Sequence, residues 1–146
     1  MKRTPSFRTG FAIFLAASTT TTAIAENANP TPDSISEATI AQLKAGHAKQ
    51  ALSGFFGANP LMDGKQNELA VLEGQITSAV SIYGPIRTCE LVESVKRGTL
   101  VENRMYLCQH DHFVSRWRFL LIRTASGWVG NNFGFDEKVT QSFDRD

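Results

Sequence analysis

The sequence predicts an α+β domain, with two N-terminal helices laid on one face of a four-stranded antiparallel sheet. Three observations carry that prediction: an apolar pattern of helical period up to Tyr83, a Gly84-Pro85 stop, and a change to period two from Ile86 onward. The later part is rich in β-branched and aromatic residues and contains no further proline. Short connections between successive strands favour a meander, and helices followed by strands pack as two layers.

Residues 1–25 read as a secretory signal peptide ahead of that domain. Lys2, Arg3 and Arg8 accompany an apolar run from Phe11 to Ala17, and a small-residue Ala-Ile-Ala ends at Ala25. The run is shorter than the about 20 residues a helix needs to span a bilayer, so cleavage rather than anchoring is expected, with no membrane segment afterwards. No cysteine near that site offers a lipid acceptor, and no adjacent arginine pair suggests twin-arginine export. The expected location is exported, periplasmic or secreted. The full chain of 146 residues has 15 Lys and Arg against 14 Asp and Glu; without the three basic residues the balance is 12 to 14, a formal −2. A near-neutral chain with no basic cluster has no electrostatic footprint for nucleic acid. What remains is the size of one domain.

Residues 26–34, Glu-Asn-Ala-Asn-Pro-Thr-Pro-Asp-Ser, read as a flexible lead-in, and the single domain as 35–146. Ser34 with Glu37 three residues on forms a capping box. Ala41, Ala45, Ala48, Leu52 and Phe55 then share one stripe, which predicts a first helix from Ile35 to Phe56, weakened at Gly46. Gly57 to Pro60 ends it. Asp63 with Gln66 caps a second helix, whose Leu69, Leu72, Ile76, Ala79, Val80 and Tyr83 keep helical spacing up to Gly84. Strands are predicted at Ile86–Lys96, Leu100–Gln109, Phe113–Thr124 and Trp128–Phe135.

Gly98-Thr99 suits a two-residue type II′ turn between the first two strands. That register sets Leu91 opposite Tyr106, Glu93 opposite Arg104 and Cys89 opposite Cys108, favourable pairs in each polar or apolar case. An oxidising compartment permits a Cys89–Cys108 disulfide. Counted from the turn, though, the two cysteines form a hydrogen-bonded pair with Cα atoms about 5.5 Å apart, which orients the side chains poorly for a bridge. Both readings, a disulfide and a pair of small buried side chains, stay open. A catalytic thiol is disfavoured, since neither cysteine begins a helix and no Cys-X-X-Cys spacing occurs.

His110 and His112 would share one side of a strand, but the further imidazole, His47, lies far off on the first helix, and a zinc site needs three or four ligands. No metal is therefore expected, and a polar hairpin turn is the simpler reading. Glu90 is the carboxylate best placed to face inward and serve as a general base; pairing with a nearby arginine at a sheet edge is the structural alternative. No Ser-His-Asp set, phosphate loop or nucleotide fingerprint occurs at useful spacing. Along the third strand, Trp117, Phe119 and Leu121 make one wholly apolar face, expected beneath the helices. Arg116, Arg118, Leu120 and Ile122 make the other, mixed face, which suggests a contact between two copies.

The runs YGPIRTCELVESVKRGTLVENRMYL and RWRFLLIRTASGWVGNNFGFDEKV, preceded by a helix with FFGANP, resemble a group of small exported proteins of unassigned function with the NTF2-like fold. That fold is similar to the cystatin-like arrangement, a curved antiparallel sheet wrapped against helices. The resemblance implies a cavity between a long helix and the sheet, and pairing of two copies through the outer sheet face. Enzymatic members such as ketosteroid isomerase and scytalone dehydratase hold an acid or a His-Asp pair in that cavity, for which this chain shows no convincing equivalent. Tyr83, Tyr106, Trp117 and Trp128 are the lining candidates it implies. Cystatin-type inhibition would need a Gln-X-Val-X-Gly loop; here Gly-Gln-Ile-Thr-Ser-Ala-Val falls inside a helix. The expected function is an exported, non-catalytic NTF2-like domain that binds a small apolar ligand or a protein partner and forms a homodimer, without a cofactor. The alternative is an NTF2-like isomerase or hydrolase with Glu90 or a histidine as base.

Overall fold

A computed structural model describes residues 29–142; the signal-peptide reading of 1–25 lies outside the described residues. Its elements are α1 (Pro32–Lys44), α2 (Ala48–Phe56), a 3-10 turn (Pro60–Met62), α3 (Gln66–Tyr83), β1 (Ile86–Arg97), β2 (Val101–His110), β3 (Val114–Thr124), β4 (Gly127–Asp136) and a second 3-10 turn (Val139–Ser142). The strands form one antiparallel meander in the order β1-β2-β3-β4. This is the α+β arrangement that the change of period predicts. Among the described residues no helix is long and apolar enough to cross a membrane.

The helices differ from expectation in their ends. Thr31, not Ser34, caps α1: its hydroxyl accepts from the Ser34 N–H, and the Ser34 hydroxyl accepts from the Thr31 N–H. Pro32 then occupies the first turn, where its missing N–H costs nothing and its φ suits a helix. Gly46 does more than weaken the first helix; it ends it. With φ at 78°, Gly46 donates to the Leu43 carbonyl while His47 donates to that of Gln42, the paired bonds of a Schellman stop. The chain therefore folds back, and the stripe read as one helix is shared by two that pack on each other. α3 begins at Gln66 rather than at an Asp63 cap, and stops where Gly84 and Pro85 predict.

Two offsets in the first hairpin cancel. The turn is one residue longer than expected, with Arg97 opposite Val101, so Glu93 faces Met105 instead of Arg104. A bulge between Leu91 and Glu93 then restores the anticipated register, so Leu91 faces Tyr106 and Cys89 faces Cys108. The cysteines are joined, with Cα atoms 4.0 Å apart. That is the close spacing of a non-hydrogen-bonded pair, and the objection from a wide pair does not apply.

Trp117, Phe119 and Leu121 lie fully buried on the helix side of β3, as their alternation predicts. Phe55 of α2 sits on Phe119 and Phe133, which stack on each other at 5.1 Å; Trp117 stacks on Phe135 at 4.7 Å. Strict alternation would put Trp128 on the opposite face from Phe133. A register shift between Leu120 and Leu121, with Asn131 left unpaired, removes the conflict, and Trp128 packs against the core too.

On the outer face, Asp136 fastens the end of β4 to β3. Its two oxygens accept from Arg116 Nε and Nη2 at 3.0 and 2.8 Å, while Arg118 lies 3.1 Å away and the Lys138 N–H donates at 2.9 Å. Burial works against its charge, but the Arg116 hydrogen bonds, the Lys138 amide and the two guanidinium charges outweigh it and hold the carboxyl below the ordinary value. A depressed folded pKa adds stability that is fully present above the unfolded value of about 3.9 and is lost as pH falls through the folded one. Asp136→Asn should cost about 1–3 kcal/mol at neutral pH. In urea titrations its deficit should shrink below pH about 4; a deficit constant down to pH 2 would assign the acid sensitivity elsewhere.

Candidate ligand groove between the first helix and the sheet

Helical spacing brings Asp33, Glu37, Ile40, Ala41 and Lys44 to one side of α1, and these side chains form a wall. Cys89 and Leu91 from β1, with Arg104 and Tyr106 from β2, form the floor. They share a face because side chains alternate along each strand and the disulfide holds that register. Between wall and floor lies an open groove of about 450 Å³, within the range that takes a small ligand. A second depression of about 360 Å³ between α1 and α2 has no charged side chain in its lining. Ser34, Thr39, Gln42 and Gln50 give the second depression polar but uncharged groups, whereas the groove on the sheet has a buried guanidinium held in place by carboxylates, the stronger device for orienting a ligand.

Those polar groups form a chain at one end. The side chains of Arg104 and Glu102 are each 5% exposed. Arg104 Nη1 donates to Glu102 Oε1 at 2.9 Å, the same oxygen accepts from the Ser94 hydroxyl at 2.9 Å, and Lys96 Nζ stands 4.0 Å from Oε2. Nη2 of Arg104 meets Asp33 Oδ1 of α1 at 2.6 Å. Burial opposes the charge on Arg104, but the Tyr106 hydroxyl and the Asp33 carboxylate favour it more, and its pKa is raised. A buried guanidinium with a buried carboxylate is costly to assemble, and removing either partner leaves an uncompensated charge.

The four aromatic candidates do not meet around one space. Tyr106 lines the groove. Trp117 is its cross-strand neighbour but is wholly buried, and its indole N–H donates to Ser115 Oγ at 2.7 Å. Trp128 is partly buried near the β3–β4 turn. Tyr83 stands at the end of α3, stacked on Phe113 at 4.9 Å and edge-on to His110.

Glu90 is corrected: it is exposed on the outer face, because its neighbours Cys89 and Leu91 take the inner one. His110 and His112 part company. His112 is exposed, whereas buried His110 uses Nδ1 on the Gly84 carbonyl at 2.7 Å and Nε2 on Ser115 Oγ at 2.8 Å. Since the carbonyl only accepts, the neutral imidazole carries its proton on Nδ1; Nε2 then accepts from Ser115, which accepts in turn from Trp117. Gly84, His110, Ser115 and Trp117 thus form a buried hydrogen-bonded chain between α3 and the sheet. His47 follows the end of α1, with Nδ1 3.2 Å from Gln42 Oε1.

Sequence reasoning missed Glu102, Arg104 and Asp33 as a group. The signal was present in part: Glu102 and Arg104 alternate into the same β2 face as Tyr106 and Cys108, where charge is out of place unless paired.

Neither a family model nor a curated protein matches the sequence. A crystal structure from Campylobacter jejuni, described as an NTF2-like transpeptidase, superposes with a TM-score of 0.55 at 9% identity, covering 69% of this chain and 97% of that one. The fold is NTF2-like. The cavity expected between helix and sheet in an NTF2-like domain is divided here. Its centre is filled by Phe55, Trp117, Phe119 and Phe133, and open space remains beside β1 and β2, under α1.

Proposed function

We propose that this chain is an exported NTF2-like domain that holds a small, largely apolar ligand in the groove between α1 and the sheet. The observation that carries the reading is the groove itself: an apolar middle of Ile40, Ala41, Leu91, Tyr106 and the disulfide, with fixed charges at one end. The disulfide is compatible with export, since such bonds persist in oxidising compartments. Binding is preferred to catalysis because Glu90 faces away from the groove, while His110 and Ser115 are tied into a buried chain.

The neutral fluorophore N-phenyl-1-naphthylamine tests this. It should bind saturably at one site with a rise in emission. Ala41 is exposed on the groove wall, so Ala41→Trp should fill the space without disturbing the core and reduce affinity by about tenfold or more. Unchanged binding in a variant with the wild-type circular dichroism spectrum would place the probe elsewhere and overturn the reading.

A further inference from the structure

Resting on that reading, we infer that the groove's ligand carries a carboxylate, docked on Arg104 in place of Asp33, with its apolar body lying along α1. Among the described residues, two other guanidiniums grip both oxygens of a carboxylate. Arg87 donates from Nε and Nη2 to both oxygens of Asp111, at 2.6 and 3.0 Å, and Arg116 donates from the same two atoms to Asp136. That edge of a guanidinium matches a carboxylate with two parallel bonds. In Arg104 the corresponding edge is half used. Nη2 meets a single oxygen of Asp33, and among the described residues Nε, which is buried, has no acceptor in hydrogen-bond geometry, although the uncharged Tyr106 hydroxyl lies near the guanidinium. A buried donor without a partner is costly, which makes this edge a receptor waiting for a better acceptor.

Chemistry narrows the class. A guanidinium only donates, so the head group must accept, and a cationic head would be repelled. Asp33 is the weaker claimant for the place, being 68% exposed and readily solvated when released. Glu102 stays behind as the buried counter-charge, so an incoming carboxylate leaves the number of anions on Arg104 unchanged. Beyond Arg104 the floor turns apolar, through Tyr106 and Leu91 to the disulfide. From Asp33 to Lys44 the wall runs about 16 Å at 1.5 Å per residue, room for a medium-length aliphatic or aryl-alkyl acid.

Displacement of bound N-phenyl-1-naphthylamine by decanoate and by 1-decanol, on the purified chain, tests the head group separately from the groove. Decanoate should compete at about tenfold lower concentration than decanol, the scale of charged hydrogen bonds. Asp33→Asn should lower the decanoate requirement further, by about threefold relative to decanol measured on the same variant. The paired change Glu102→Gln with Arg104→Gln, which leaves no lone buried charge, should abolish the preference of decanoate over decanol. Equal competition by acid and alcohol, unaltered in Asp33→Asn, would overturn the carboxylate and leave the apolar groove standing. No fluorophore binding at all would overturn both.

Discussion

Replacing Gly130 with alanine should lift α2 from the sheet and remove about 3–5 kcal/mol of stability, the sum of overpacking and a lost buried hydrogen bond. A Cβ at this position would collide with the Phe55 carbonyl oxygen and come within 2.5 Å of the Phe55 ring. A ring can turn aside, but a helix carbonyl moves only with its helix. The Gly130 carbonyl also accepts from Asn59 Nδ2 at 2.9 Å, and Asn59 Oδ1 accepts from the Leu61 N–H, so the chain leaving α2 is fastened to the same point. Displacing α2 would withdraw Phe55 from Phe119 and Phe133, its aromatic neighbours in the core. Against a total stability of about 5–15 kcal/mol the loss is large, and thermal melting should fall by roughly 4 °C or more per kcal/mol. Gly134→Ala is the control: a Cβ there meets only Arg118 Nη2, at 3.9 Å. Similar melting temperatures for the two variants would show that the contact between Phe55 and Gly130 yields easily.

Periodicity made the layers of this protein legible, and single-residue insertions hid the site. The α3 stop at Gly84-Pro85, the meander after Ile86 and the buried face of Trp117, Phe119 and Leu121 follow from spacing and turn chemistry that act locally. A bulge is different, because one extra residue moves every later side chain to the other face. The extra residue in the first hairpin turn separates Glu93 from Arg104, and the bulge at Asn131 brings Trp128 to the side of Phe133. The cysteine pairing survived because a longer turn and a bulge offset each other. Gly46 was visible as a weak point, but the alanines on both sides continued the stripe, and only the Schellman bonds show that the helix ends there. Arg104 has one partner two residues away on its own strand, Glu102, and one distant in sequence, Asp33 on α1, and no local pattern announces the second of these.

Removing the disulfide, by Cys89→Ala with Cys108→Ala, should cost about 3 kcal/mol, the scale for a crosslink closing a loop of this length, since the cysteines are 19 residues apart. The loss should not be spread evenly. β1 is an edge strand with two register shifts and hydrogen-bonds only to β2, whereas β2 and β3 are paired on both sides. The disulfide therefore holds the strand with the weakest claim to its place. Hydrogen exchange should show faster exchange at β1 amides from Thr88 to Val95 and little change in β3, a local opening below the global one. Reductant added to the wild-type protein should reproduce the pattern once the bond is cleaved. Because Cys89 and Leu91 belong to the groove floor, a loosened β1 should also weaken N-phenyl-1-naphthylamine binding at temperatures where the rest of the fold is intact. Exchange that quickens equally in β1 and β3 would mean that the bridge stabilises the domain as a whole. Binding that survives the opening of β1 would separate the ligand from this floor.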